Sequence, residues 1–167
     1  MAWILKICHF DVAGSGDATL IMAKNDDAKD AKGNKITLTR SVLIDGGKSN
    51  AGELPAALKD SLATLKMPPT IDVMICTHYD EDHVFGLTQL LKGTDKMFKD
   101  TIVFDQGRIE KSDNNLLKDF QDAVGTRTRP TEQVDRLEKG NAPLPAGWLV
   151  GREVMWWGSK MPTGAPS

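Results

Sequence analysis

Two cysteines, three histidines and one tyrosine are all that the 167 residues carry of these types. Two cysteines cannot build a disulfide framework or a thiolate cluster. Cys8 and Cys76 each lie in an apolar run and read as buried thiols of a reducing compartment, with the cytoplasm as the expected location. No apolar run reaches the length of a membrane span. The opening Met-Ala-Trp-Ile-Leu-Lys also lacks the basic start and long apolar centre of a signal peptide, so no membrane partner is expected. An excess of one charge is missing too: 21 Lys and Arg stand against 23 Asp and Glu, for a net charge of -2. Such a chain has no global attraction to nucleic acid, and a phosphate-bearing substrate would depend on local groups. Internal repeats and long low-complexity tracts are absent. What remains is an ordinary globular composition with enough length for one sizeable core.

Within that plain background one stretch is dense in chemistry. Residues 71–86, I-D-V-M-I-C-T-H-Y-D-E-D-H-V-F-G, run from an apolar strand into His78, Asp80, Glu81, Asp82 and His83. Carboxylates and imidazoles crowded this closely repel one another unless a cation offsets them, so a metal is the simplest stabiliser. Imidazole plus carboxylate without thiolate suits zinc, manganese or iron, whereas calcium disfavours two histidines. A solvated acidic loop with incidental histidines is the competing reading. Ile71, Val73 and Ile75, with Met74 and Cys76 between, read as a strand buried on both faces. The leucines Leu87, Leu90 and Leu91 predict a helix entering after Gly86. Ligands at the carboxyl end of a buried strand occupy the place where open α/β sheets put their sites.

The rest of the chain supplies a frame. Residues 2–12 read as a first strand, with Trp3, Leu5 and Ile7 on one side and Ile4, Cys8, Phe10 and Val12 on the other, which predicts a sheet covered on both faces. Gly14-Ser15-Gly16-Asp17 makes a turn and residues 18–23 return as a second strand. No P-loop Lys-Ser or Lys-Thr follows those glycines, and Ser15 lacks the context of a nucleophile elbow. His9, inside the first strand, reads as a satisfied half-buried residue rather than a ligand. Residues 25–35 read as a solvated hairpin tip, and 36–44 as a third strand ending at Asp45-Gly46-Gly47. Asp45 suits either a plain turn or the orientation of a ligand histidine. Leu54, Leu58, Leu62 and Leu65 recur at helical spacing, with Ser49 or Asn50 able to cap, Pro55 in the first turn and Pro68-Pro69 as the stop. A short strand at 101–104 and a helix at 113–124 with Leu116, Leu117 and Phe120 inward follow. Arg127 and Arg129 form the only basic spot. Trp148, Val150, Val154, Trp156 and Trp157 suggest an aromatic-rich strand at a core or between sheets, and residues 161–167 a frayed tail on a single domain over 1–160.

The stretch T-H-Y-D-E-D-H-V-F-G resembles the H-x-[HD]-x-D-H signature of the metallo-β-lactamase superfamily, in the variant with Asp at the third position. That variant is similar to the metallo-β-lactamase-like domain of the competence DNA-uptake channel ComEC and its soluble relatives. F-D-V-A-G-S-G-D-A-T-L-I at 10–21 and L-I-D-G-G at 43–47 look like the same subgroup, with fainter echoes at 103–107 and 123–130. The resemblance implies an α/β fold, the αββα sandwich of two sheets with helices outside. It also implies two divalent metals, zinc first with manganese or iron as alternatives. His78 and Asp80 would serve one ion and Asp82 and His83 the other, with Asp45 orienting a ligand. After His83 the sequence has no further histidine. Each ion therefore has two side-chain ligands from this motif where catalytic zinc usually takes three, unless Asp105 or Asp113 contributes. The expectation is the N-terminal half of such a domain, or a shortened or degenerate version. The implied activity is a metal-dependent hydrolase in which water attacks a phosphodiester, ester or amide of a small-molecule or phosphodiester substrate, with Asp82 helping to orient that water. A binding or scaffold module that keeps the fold without catalysis is the alternative.

Overall fold

The computed structural model describes residues 3–11, 16–48, 53–105 and 115–125. In chain order these form β1 (Ile4–Asp11), β2 (Asp17–Lys29), β3 (Lys35–Ile44), α1 (Glu53–Thr64), β4 (Val73–Ile75), α2 (Glu81–Lys92), β5 (Ile102–Phe104) and α3 (Asn115–Gly125). The five strands make one sheet in the order β1-β2-β3-β4-β5. The first two pairings are antiparallel and the last two parallel. That division follows from the connections: a tight turn can only reverse a strand, while a parallel partner needs a crossover such as α1 or α2.

The β2–β3 hairpin is longer than its polar sequence predicts. Only residues 30–34 form the turn; β2 extends to Lys29 through an irregularity in register between Asn25 and Ala28. The Asp30 carboxylate accepts the backbone N–H groups of Lys32 and Asn34, both at 2.8 Å, and Gly33 supplies the positive φ of 84°. Asn25 and Ala28 are buried, so the bulge keeps a buried side despite the charged neighbours.

Strand register arranges the core. Cys8, Leu20, Leu43, Met74 and Val103 are successive partners across the five strands. The last four of these are buried, and they join Leu54, Leu58 and Leu62 of α1, Val84, Leu87, Leu90 and Leu91 of α2, and Phe120, Ala123 and Val124 of α3 in one hydrophobic cluster. Each such side chain contributes about 1.5–3 kcal/mol by leaving water. The helices thus cover one face. On the opposite face the partners Ile7, Ile21, Val42, Val73 and Ile102 grade from exposed at the β1 edge to buried at Val73. Trp3, Leu5 and Ile7 are 43%, 64% and 60% exposed, so the described residues do not supply the expected cover on this side of β1. Cys8 is only half buried, while Cys76 is buried as expected.

The mixed α/β expectation holds as a five-stranded sheet with three helices. Among the described residues there is one sheet. The expected strand over 148–157, the tail at 161–167, the arginine pair at 127 and 129, Asp113 and the cap at 49–50 lie outside the described residues. No helix among the described residues is long and apolar enough to cross a membrane.

Candidate metal centre

The carboxyl ends of the three parallel strands lie side by side. Asp45 follows β3 directly, Cys76 and Thr77 follow β4, and Asp105 follows β5. Backbone bonds carry the ladder past the strands: Asp45 donates its N–H to the carbonyl of Ile75 at 2.9 Å, and Cys76 to that of Phe104 at 2.8 Å. The acidic stretch is not a loop before a helix. Helix α2 begins at Glu81, well before the Leu87 start that the leucine pattern suggests, because Asp80 stands at the N-cap position and its carbonyl accepts the N–H groups of His83 and Val84. Asp82 and His83 therefore sit on the first turn of α2, where the unpaired N–H groups and the helix dipole favour acidic side chains.

One buried carboxylate organises both histidines. Asp45 has a positive φ of 55°, a conformation Asp tolerates better than most residues. Its Oδ1 accepts the Thr77 N–H at 2.8 Å, and its Oδ2 accepts the Thr77 hydroxyl at 2.6 Å and faces His83 Nδ1 at 2.9 Å. An ionised carboxylate only accepts, so His83 Nδ1 carries the proton and the lone pair falls on Nε2. Thr77, having given its hydroxyl hydrogen to Asp45, has only lone pairs left for His78 Nδ1, 3.0 Å away. His78 is thereby set in the same tautomer. Both rings, 3.7 Å apart between centroids, offer an Nε2 lone pair.

Each Nε2 faces a carboxylate. Asp80 Oδ2 lies 3.3 Å from His78 Nε2, and Asp82 Oδ2 lies 3.6 Å from His83 Nε2. Two electron-rich atoms at that separation repel unless a proton or metal ion stands between them. The donor chemistry thus fits a divalent cation, in two pairs: His78 with Asp80 and His83 with Asp82. Among the described residues no group of three or more His, Cys, Asp or Glu side chains is set to hold a single ion. Glu81 turns away to an ion pair with Lys48 at 3.0 Å. His9 stands apart from these pairs, its Nδ1 2.9 Å from the Thr19 hydroxyl and its Nε2 3.4 Å from Asp17.

Two neighbours complete the surroundings. Burial, then the Asp45 and Asp105 carboxylates, push the Cys76 thiol far above its ordinary range. It remains a protonated donor to the His78 carbonyl at 3.1 Å and braces the turn. On the other flank a cleft of about 460 Å³ opens against Asp80, lined by Tyr79, Asp80, Glu81, Phe85, Leu116 and Asp119.

Glycines mount the loop on the sheet. Gly46 donates its N–H to the His83 carbonyl at 3.0 Å, and Gly86 donates to the Gly47 carbonyl at 2.8 Å. A Cβ on Gly46 would overlap the backbone at Gly86 and Leu87, and one on Gly86 would overlap Gly46 and Gly47. The sequence singled out Asp45 and the two glycines beside it as a place where backbone can approach closely, but it gave no role to Thr77 and did not point to Gly86 as the partner in that approach. A threonine directly before the first histidine was the available signal; the glycine contact joins residues forty apart and leaves no local pattern.

Residues 38–97, from within β3 to the 3₁₀ turn at Lys96–Phe98, match the family model of the metallo-beta-lactamase superfamily. Asp45, His78, Asp80, Asp82 and His83 all lie inside that stretch. No curated protein and no solved structure matches the chain.

Proposed function

We propose that this site is the centre of a metal-dependent hydrolase acting on a phosphodiester, ester or amide bond. The observation that carries it is the shared anchor: Asp45 and Thr77 fix both imidazoles with Nε2 outward, each beside a carboxylate. His78 and Asp80 would hold one divalent ion and Asp82 and His83 a second, zinc first and manganese or iron as alternatives. When bound, such ions supply the Lewis acidity that makes water a nucleophile at neutral pH. This chain's own residues do the rest. Asp45 holds the ligand tautomers, and Asp82 accepts a hydrogen of the attacking water and orients it. The matched family stretch supports the reading because it contains every residue used.

A second reading, a non-catalytic binding or scaffold module of the same fold, is favoured by one observation. No three of the candidate ligands are set for one ion among the described residues, whereas catalytic zinc usually has three protein ligands. Metal content of the purified chain separates the two. The hydrolase reading expects about two ions per chain and hydrolysis of bis-p-nitrophenyl phosphate or p-nitrophenyl acetate, both abolished in the double variant His78→Ala, Asp82→Ala while its circular dichroism is kept. Unchanged metal content in that variant refutes the assignment, and a metal-free, inactive wild type selects the scaffold.

A further inference from the structure

The β1–β2 hairpin carries a glycine-rich sequence that the proposed chemistry does not use. At its turn end, just before Asp17, Gly16 has a φ of +78°, and a Cβ built there would run into the main-chain carbonyl and the Cβ of Asp82. The hairpin and the first turn of α2 therefore touch backbone to side chain and backbone, with no room for any residue but glycine. Gly33, at the tip of the neighbouring hairpin, has almost the same φ of +84° but nothing within 4 Å of where its Cβ would stand. The two glycines share a conformational requirement and differ in what they touch.

We infer that Gly16 is a positioning residue of the metal centre: the β1–β2 hairpin is a third support of the acidic turn and sets where the Asp82 carboxylate stands relative to His83. Two other supports are already in place on the far side, where Gly46 binds the His83 carbonyl and Gly86 binds Gly47. Both bonds go to residues other than Asp82. With 44% of its side chain exposed and His83 Nε2 3.6 Å away, Asp82 has among the described residues no side-chain hydrogen bond comparable to the Asp45–Thr77 bonds that hold the histidines. Its placement depends on its backbone, and Gly16 is what its backbone meets. Asp17, the residue after Gly16, is joined across the hairpin to His9 at 3.4 Å.

The inference rests on the hydrolase reading for its functional meaning, and the matched pair Gly16→Ala and Gly33→Ala tests it separately. Both variants strain a positive φ to a similar degree, and Gly16→Ala adds the overlap with Asp82, so the urea midpoint should fall in both and further in Gly16→Ala. Zn²⁺ affinity, read by competition with a chromogenic chelator, should fall at least tenfold in Gly16→Ala and stay within twofold of wild type in Gly33→Ala. Equal affinities in the two variants overturn the inference while leaving the hydrolase reading standing. If wild type takes up no Zn²⁺, the hydrolase reading fails, and the inference is decided on metal-free protein. There, backbone amide resonances of residues 81–84 should move in Gly16→Ala and not in Gly33→Ala; movement confined to the hairpin overturns it. Should Gly16→Ala not fold, wild type decides: a nuclear Overhauser contact between Gly16 Hα and Asp82 is required, and its absence is fatal.

Discussion

Asp45 shows how much one side chain settles. It is buried, it accepts from three donors on Thr77 and His83, and through the Thr77 hydroxyl it also dictates the tautomer of His78. A carboxylate does this because it has only lone pairs to offer; an amide of the same shape does not. In Asp45→Asn the NH₂ meets the Thr77 backbone N–H if it replaces Oδ1, or the Thr77 hydroxyl and His83 Nδ1 together if it replaces Oδ2, donor against donor in either case. The expected cost is roughly 1–3 kcal/mol of folding stability and about 10- to 100-fold in metal affinity, measured by urea unfolding and zinc competition. Affinity equal to wild type would show that the histidine orientation does not matter to the site.

At the scale of the element, α2 is the piece on which the site is built, and its position is decided by backbone contact. Its buried residues Val84, Leu87, Leu90 and Leu91 seat it on the sheet, and Gly86 lets its first two turns approach Gly46 and Gly47. Helix propensity alone says that Gly86→Ala should stabilise the protein by about 1 kcal/mol. The contact says the reverse, because the methyl would fall on the main chain of the β3-end turn, and overpacking of this kind costs about 1–3 kcal/mol. The sign of the change in a urea melt therefore tells which effect governs. A loss of stability together with weakened zinc binding is expected, and a gain would show that α2 is free to lift. Asp95 gives a smaller example of the same kind: its carboxylate accepts the Met97 N–H at 3.0 Å and pairs with Lys59 of α1 at 2.6 Å, and that pairing first of all holds its carboxyl below the usual carboxylate range.

For the whole molecule the sheet has two unlike faces. The helix side holds Leu20, Met22, Leu43 and Met74 at 0% exposure, while Leu5 on the other side is 64% exposed. Leu20→Ala should lose about 2–5 kcal/mol, the range for a cavity in a packed core, and Leu5→Ala about 0.5 kcal/mol or less, as at other surface positions. Chemical denaturation of the two variants side by side checks this. A loss at Leu5 close to that at Leu20 would mean that the β1 face is covered in solution.

Local pattern was enough for much of this protein. Alternation and leucine spacing placed the strands and helices, and the crowding of imidazole and carboxylate marked residues 78–83 as the candidate site. Such features are carried by neighbours in sequence, so they are legible without a fold. Where α2 starts and how far the β2–β3 hairpin reaches were read differently from the sequence, because each depends on partners far along the chain. The same holds for the site's finer arrangement. That Thr77 relays Asp45 to His78, that Glu81 leaves the cluster for Lys48, and that Gly16 and Gly86 clear space for other backbones are consequences of three-dimensional proximity, which tertiary packing alone decides.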